Sequence, residues 1–147
     1  MSELGFKRRN PEFEARVRES FGRQTIMGLL GATLHRVELG RVSVVLPARA
    51  DLCQQDGYFH AGVSTTIADS AAGYAALTLF DAQTEVLSTE FKVNLLAPAV
   101  GDRLRAVATV LKPGRTLTVV EADVFADVDD KAVRCVRFLG TMIAVRG

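Results

Sequence analysis

Apolar residues recur along this chain with two periods, and the change of period divides it into elements. Phe13, Val17 and Phe21 stand four apart, with Asn10 and Pro11 ahead of them as a cap and a first-turn proline and Gly22 behind them as a stop. That spacing predicts a short amphipathic helix. From Ala32 to Ala48, ATLHRVEL and RVSVVLPA are rich in β-branched residues and meet at Leu39-Gly40, which predicts a hairpin. After the loop RADLCQQDGYF, the stretch from about Ala61 to Leu79 shows no strand-like alternation and is long enough for a helix of roughly 28 Å. Alternation returns in VLSTEFKVNLL, where Leu87, Thr89, Phe91, Val93 and Leu95 interleave with Ser88, Glu90, Lys92 and Asn94: a half-buried strand, ended by Pro98 and Gly101. RLRAVATVLK and TLTVVEADVFA flank KPGR, where Pro113 and Gly114 suit the central positions of a type II turn. AVRCVRFLGTMIAV, after Asp129-Asp130, reads as a last strand.

The order is therefore one helix, two strands, one long buried helix and four strands. It predicts an α+β chain in which a mostly antiparallel sheet wraps round a single helix. At 147 residues the expectation is one domain over 1–147, with residues 1–31 as a helical segment packed on it.

Composition changes this picture little. Hydrophobic residues make up 48% and charged residues 24%, and 18 basic against 17 acidic residues leave +1, so nothing in the overall field calls for nucleic acid or an anionic membrane. Cys53 and Cys135 are at no metal-ligand spacing and there are two histidines, so no metal site is expected and both cysteines read as reduced thiols. The opening MSELGFKRRNPEFEARVRESF lacks the apolar segment of a secretory signal, and no run of about eighteen apolar residues follows. The expected location is cytoplasmic.

One segment carries chemistry. HAGVSTTIADSAAG, from His60 to Gly73, holds a single carboxylate, Asp69, among glycines, alanines, serines and threonines. Projected on a helix, its face carries Gly62, Thr65, Thr66, Ala72, Gly73 and Ala76, whereas Val63, Ile67, Ala71 and Tyr74 lie opposite. A face of small residues admits another helix or a ligand. An unpaired buried carboxylate costs several kcal/mol, so Asp69 is either satisfied by Thr65, Thr66, Ser70 or water, or used. His60 lies nine residues earlier, half a turn out of phase and about 13.5 Å away along a helix axis. If the two share a site, it must be assembled from two chains.

The segment resembles the hotdog-fold thioesterases of the PaaI (phenylacetate-degradation) type, whose motif is HGG at the start of the central helix and an acidic residue nine positions after the histidine. Here HAG occupies residues 60–62 and Asp69 stands at that interval; STEFKVNLLAPA from Ser88 and KPGRTL from Lys112 are also similar to that family, so the likeness runs from Ala32 onward. The resemblance implies a six-stranded antiparallel sheet in the order 1-2-4-5-6-3 round the long helix. It implies a homodimer joined through the edge strand near Phe91, often a homotetramer, and an acyl-CoA thioester as substrate, with no cofactor because CoA belongs to the substrate.

By match to the motif, Asp69 corresponds to the catalytic carboxylate, the Ala61 amide to the group that polarises the thioester carbonyl, and His60 to support for that turn. Gln54 stands where the family often has asparagine, and Ser88 where a water-positioning hydroxyl is found. Ala61 departs from the motif glycine: the N–H survives and a methyl is added. Free N–H groups at a helix start, those of Ala61 and Gly62, suit the oxyanion of a thioester under attack, while Asp69 activates water or attacks directly.

Substrate-binding candidates are Tyr58 and Phe59, adjacent to the motif, and Thr66 and Gly73 on the small face. Lys112 and Arg115 at the turn, with Arg103 and Arg105 on the preceding strand, are candidates for the phosphates of CoA. Cys53 has no histidine placed by sequence to activate it. The rival readings are a hotdog enoyl-CoA hydratase or dehydratase, which wants a histidine and a carboxylate converging, and a non-catalytic acyl-CoA binding module.

Overall fold

The structure is a computed structural model and describes residues 4–147. Helices α1 (Phe13–Arg23) and α2 (Thr25–Leu30) lead into strands β1 (Thr33–Glu38) and β2 (Arg41–Pro47). The long helix α3 (Ala61–Leu77) follows, and β3 (Thr84–Leu95), β4 (Arg103–Lys112), β5 (Leu117–Val128) and β6 (Lys131–Arg146) complete the chain. The strands form one antiparallel sheet in the order β1-β2-β4-β5-β6-β3. This is the hotdog arrangement, with the sheet curled round α3.

Alternation explains the packing. Val42, Val44 and Leu46 of β2 and Leu104, Ala106 and Ala108 of β4 face inward with no exposed surface, against Ile67, Ala68, Ala71 and Ala75 of α3. Alanine on both surfaces lets helix and sheet approach closely. From the N-terminal segment, Val17, Phe21 and Met27 join the same core.

Among the helices and turns, four features differ from the expectations. Helix α1 starts at Phe13, not at Pro11, because the Asn10 side chain accepts a bond from the Glu12 N–H (3.0 Å) and makes a turn of its own. A second helix, α2, follows it; TIMGLL has six residues, too few to show a period, and Gly31 closes it at φ 79°. Helix α3 stops at Leu77 instead of Leu79, because Thr78 turns its hydroxyl to the Ala75 carbonyl (2.7 Å) while accepting from the Gly40 N–H (2.7 Å). The β4–β5 connection is not a type II turn. Gly114 is absent from the positive-φ residues; it is needed for a close approach, since a Cβ there would lie 2.0 Å from the Leu117 carbonyl oxygen.

Strand β3 forms as expected but is not half-buried. It pairs only with β6, lies at the sheet edge, and leaves Leu87, Phe91 and Leu95 at 59%, 44% and 59% exposure. Alternation in sequence reports two faces; it does not report whether a layer covers either one.

Candidate active site

The first turn of α3 is built round a ring. His60 is the N-cap, extended at φ −61° and ψ 139°, and its Nδ1 accepts from the Gly62 N–H at 2.8 Å. Position 62 leaves little room beside this contact: a Cβ there would sit 3.0 Å from the His60 Nδ1, so the ring would have to give way slightly. The expected pair of free amides is thus divided. Gly62 gives its N–H to the histidine, and the Ala61 N–H has no acceptor among the described residues. The Ala61 methyl strains nothing, since among the described residues Asp129 is the one non-glycine with positive φ.

The loop before the helix holds this tip in place. The Phe59 N–H bonds the Ala99 carbonyl (2.8 Å) and the His60 N–H the Leu52 carbonyl (3.0 Å). Gln54 folds its side-chain oxygen back onto the Tyr58 N–H (3.4 Å). Beside the tip opens a mostly apolar cavity of about 460 Å³, lined by Gln54, Tyr58, Phe59, Ala61 and Ser64, with residues 95–99 opposite. Tyr58 is exposed and Phe59 is buried.

Two turns further on, about 12 Å along the axis, Asp69 faces a different opening. Ser88 on β3 donates its hydroxyl to Asp69 Oδ1 at 2.6 Å; none of Thr65, Thr66 and Ser70 does. Ser88 stands where the β3–β6 register shifts, before Glu90, and this bulge aims its side chain at the helix. The cavity here, about 500 Å³, is lined by Asp69, Ser70, Gly73, Tyr74, Leu87 and Ser88, with Ser20 and Gln24 reaching in from the N-terminal segment. Gln24 accepts from Ser70 (2.9 Å), and Ser20 shares a hydrogen bond with the Tyr74 hydroxyl (3.2 Å). Burial raises the Tyr74 phenol above its ordinary pKa, with Ser20 opposing it. Tyr74 therefore borders the carboxylate's groove, contrary to the helical projection, and Ala72 and Ala76 of the small face are core residues.

At the far end of α3 a third hollow, about 210 Å³, places Arg115 with Lys7 and Arg9 beside the rings of Phe6 and Phe80. Lys112 ends β4, exposed, outside this lining. Thr66 lines neither large cavity and bonds the Gly62 carbonyl (2.7 Å). Arg103 and Arg105 both engage Asp127, at 2.8 and 3.3 Å. Among the described residues no group of histidine, cysteine and carboxylate side chains is placed to hold a metal, and no helix is long and apolar enough to cross a membrane.

Sequence reasoning missed Ser20, Gln24 and Tyr74 at the carboxylate, Ser64 at the tip, and Lys7 and Arg9 at the basic hollow. The polar spacing of Ser20 and Gln24 on one helical side was the available signal for the first two.

The capped helix start with its free amide and the carboxylate held by Ser88 both belong to α3, inside the hotdog sheet. Residues 56–133, more than half of the chain, match the thioesterase superfamily, and the chain belongs to that family. A putative esterase of Saccharolobus solfataricus is 33% identical over 72% of this chain and 74% of its own. A 1,4-dihydroxy-2-naphthoyl-CoA hydrolase of Listeria monocytogenes is 31% identical over 65% of this chain and 80% of its own. A solved thioesterase family protein from Silicibacter pomeroyi superposes with TM-score 0.90 and 43% identity, covering 92% of this chain and 99% of that one. The chain is a thioester hydrolase.

Proposed function

We propose that this thioesterase hydrolyses an acyl- or aryl-acyl-CoA to the free acid and CoA, with the Ala61 N–H of one protomer and Asp69 of its partner converging on one thioester. One observation carries the reading. Within a chain the free amide and the carboxylate are two turns of a rigid helix apart, whereas a carbonyl oxygen held by the amide and a carbon attacked through the carboxylate must each lie within about 3 Å of their groups. The exposed apolar edge of β3, centred on Phe91, supports antiparallel pairing with a second copy, which makes a homodimer; two such dimers make a homotetramer.

The steps follow from the atoms present. The Ala61 N–H, with the helix dipole behind it, receives the negative charge that grows on the carbonyl oxygen. Ser88 occupies Asp69 Oδ1 and leaves Oδ2 free. That oxygen either takes a proton from an attacking water or bonds the carbonyl carbon itself, giving a mixed anhydride that water then opens. In both routes the C–S bond breaks and the departing CoA sulfur is protonated. Gln54 shapes the loop beside the tip, and Gly62 with His60 holds it. Tyr58 and Phe59 border the acyl path on one protomer and Gly73 on the other, whereas Thr66 is turned onto its own helix. Arg115, joined by Lys7 and Arg9 and by Lys112 at the same turn, is suited to the phosphates of CoA.

The polar lining from Ser20, Gln24 and Tyr74, and the Listeria relative named for a hydroxylated aryl-CoA, support aryl substrates within this class. Reduced Cys53 and Cys135 and a CoA ester fit the cytoplasm. The hydratase reading loses support because the His60 Nδ1 is already taken by the Gly62 N–H.

The test is thiol release from short, medium, long and aryl acyl-CoAs, with wild type and Asp69→Asn. Turnover is expected to fall by about 10²- to 10⁴-fold while substrate still binds. Full activity in the variant, or binding without hydrolysis across the panel in wild type, ends the proposal.

A further inference from the structure

The outer face of the sheet carries a concave site that this chemistry does not use. Where β1, β2 and β4 lie side by side, the residues that alternate with the core point away from α3, and a cavity of about 240 Å³ opens among His35, Arg36, Arg41, Ser43, Arg103 and Arg105. The side chains of Arg36 and Arg41 form no ion pair or hydrogen bond with other described residues. Arg103 and Arg105 share one carboxylate, Asp127, which lies outside the lining. The acid in the lining is Glu38, so four guanidiniums stand against Glu38 inside and Asp127 beside the cavity, and positive charge is in excess.

A second observation is independent of charge. Ser43 is 6% exposed, opposite Arg36 on β1 and Val107 on β4, and its hydroxyl has no hydrogen-bond partner. A buried hydroxyl without a partner is unfavourable until something bonds it, and Ser43 lines this cavity. Guanidinium forks and a hydroxyl are the donors that a tetrahedral oxyanion takes up. The volume lies below the roughly 300–1,000 Å³ of pockets for drug-sized molecules, so the space suits a small anion and not a whole CoA.

From these features we infer that the outer face binds a phosphoryl anion, either inorganic phosphate or a small phosphate monoester, with Ser43 donating from the floor and Arg36 and Arg41 from the rim. This site is separate from the hollow at Arg115, which lies among other elements.

Calorimetric titration of the full-length protein with inorganic phosphate, at ionic strength matched with chloride, tests it. Wild type is expected to bind, and affinity falls about tenfold in Ser43→Ala and at least as much in the double variant Arg36→Gln/Arg41→Gln. Ser43→Ala removes an unsatisfied hydroxyl, so in phosphate-free buffer its melting temperature is expected to equal or exceed that of wild type, while the increase that phosphate gives wild type disappears. Titration with glycerol 3-phosphate separates the sources: equal or tighter binding assigns the site to esters, weaker binding to free phosphate, and either upholds an oxyanion site. No heat beyond the chloride control, or equal affinity in all variants, overturns it.

Discussion

The two candidate stretches of α3 are secured in opposite ways. At the tip the proposed group is backbone: an N–H without an acceptor among the described residues, beside one taken by the His60 ring, on a loop tied by main-chain bonds. In the middle the proposed group is a side chain, Asp69, fixed from outside the helix by a serine on an edge strand. Helix geometry accounts for the contrast. Only an end has unused N–H groups and the positive pole of the dipole, while a side chain in the middle is limited by what packs against it. A straight helix cannot bring both to one atom, so complementary halves repeated on two copies are a natural solution.

The sharpest way to break this contrast is to delete the amide without touching a side chain used in chemistry. Ala61→Pro removes the N–H at the first helical position, where proline is tolerated, and the extended backbone of His60 already suits a following proline. Turnover is expected to fall by about 10²- to 10³-fold with unchanged denaturation midpoint; turnover near wild type shows that the amide is not the oxyanion donor. Mixing Ala61→Pro with Asp69→Asn, each nearly inactive, tests whether the halves come from different chains. After refolding together, about a quarter of wild-type activity is expected from hybrid dimers with one intact site, and no recovery means that both halves act within a chain.

A smaller effect comes from Ser88→Ala, which frees the carboxylate from its strand. A fall in turnover of about tenfold, with KM little changed, is expected for losing one hydrogen bond to a charged group. The same loss in KM instead would make Ser88 a binding group.

The smallest effect is alkaline. Burial raises the Cys135 thiol, beside the tip cavity, and the Tyr74 phenol, beside Asp69. A folded pKa above the unfolded one favours the protonated, folded form, so the stability is complete below the unfolded pKa and is lost as pH rises through the folded one. Urea unfolding is therefore expected to show a first decline above about pH 8.5, removed in Cys135→Ala, and a second above about pH 10, removed in Tyr74→Phe. A flat profile in wild type contradicts both.

Much of this molecule was readable in its residues. Period-four spacing pointed to α1, β-branched-rich runs and the alternation in β3 pointed to strands, and the absence of alternation from Ala61 pointed to α3, because each signal is local in sequence. Ser88 could be named from the motif, but its bond to Asp69 depends on a register shift that no pattern of apolar residues encodes. Gln24 and Ser20 reach the same groove only because α1 packs across the helix, a tertiary event. At β3 the alternation was correct and its meaning was not, since an edge strand and a central one are written alike. At Pro113-Gly114 the glycine was read as a source of positive φ when its lack of a side chain was what mattered.

Thr78 has a consequence for all of this. Its hydroxyl grips the last turn of α3 with one bond and the β1–β2 corner with another, so this end of the helix is pinned lengthwise to the sheet. Asp69 stands nine residues from that pin, and a slip by one residue would carry it about 1.5 Å past the strand that holds it. The alignment of the carboxylate with Ser88 is thus measured from a threonine at the opposite end of the rod.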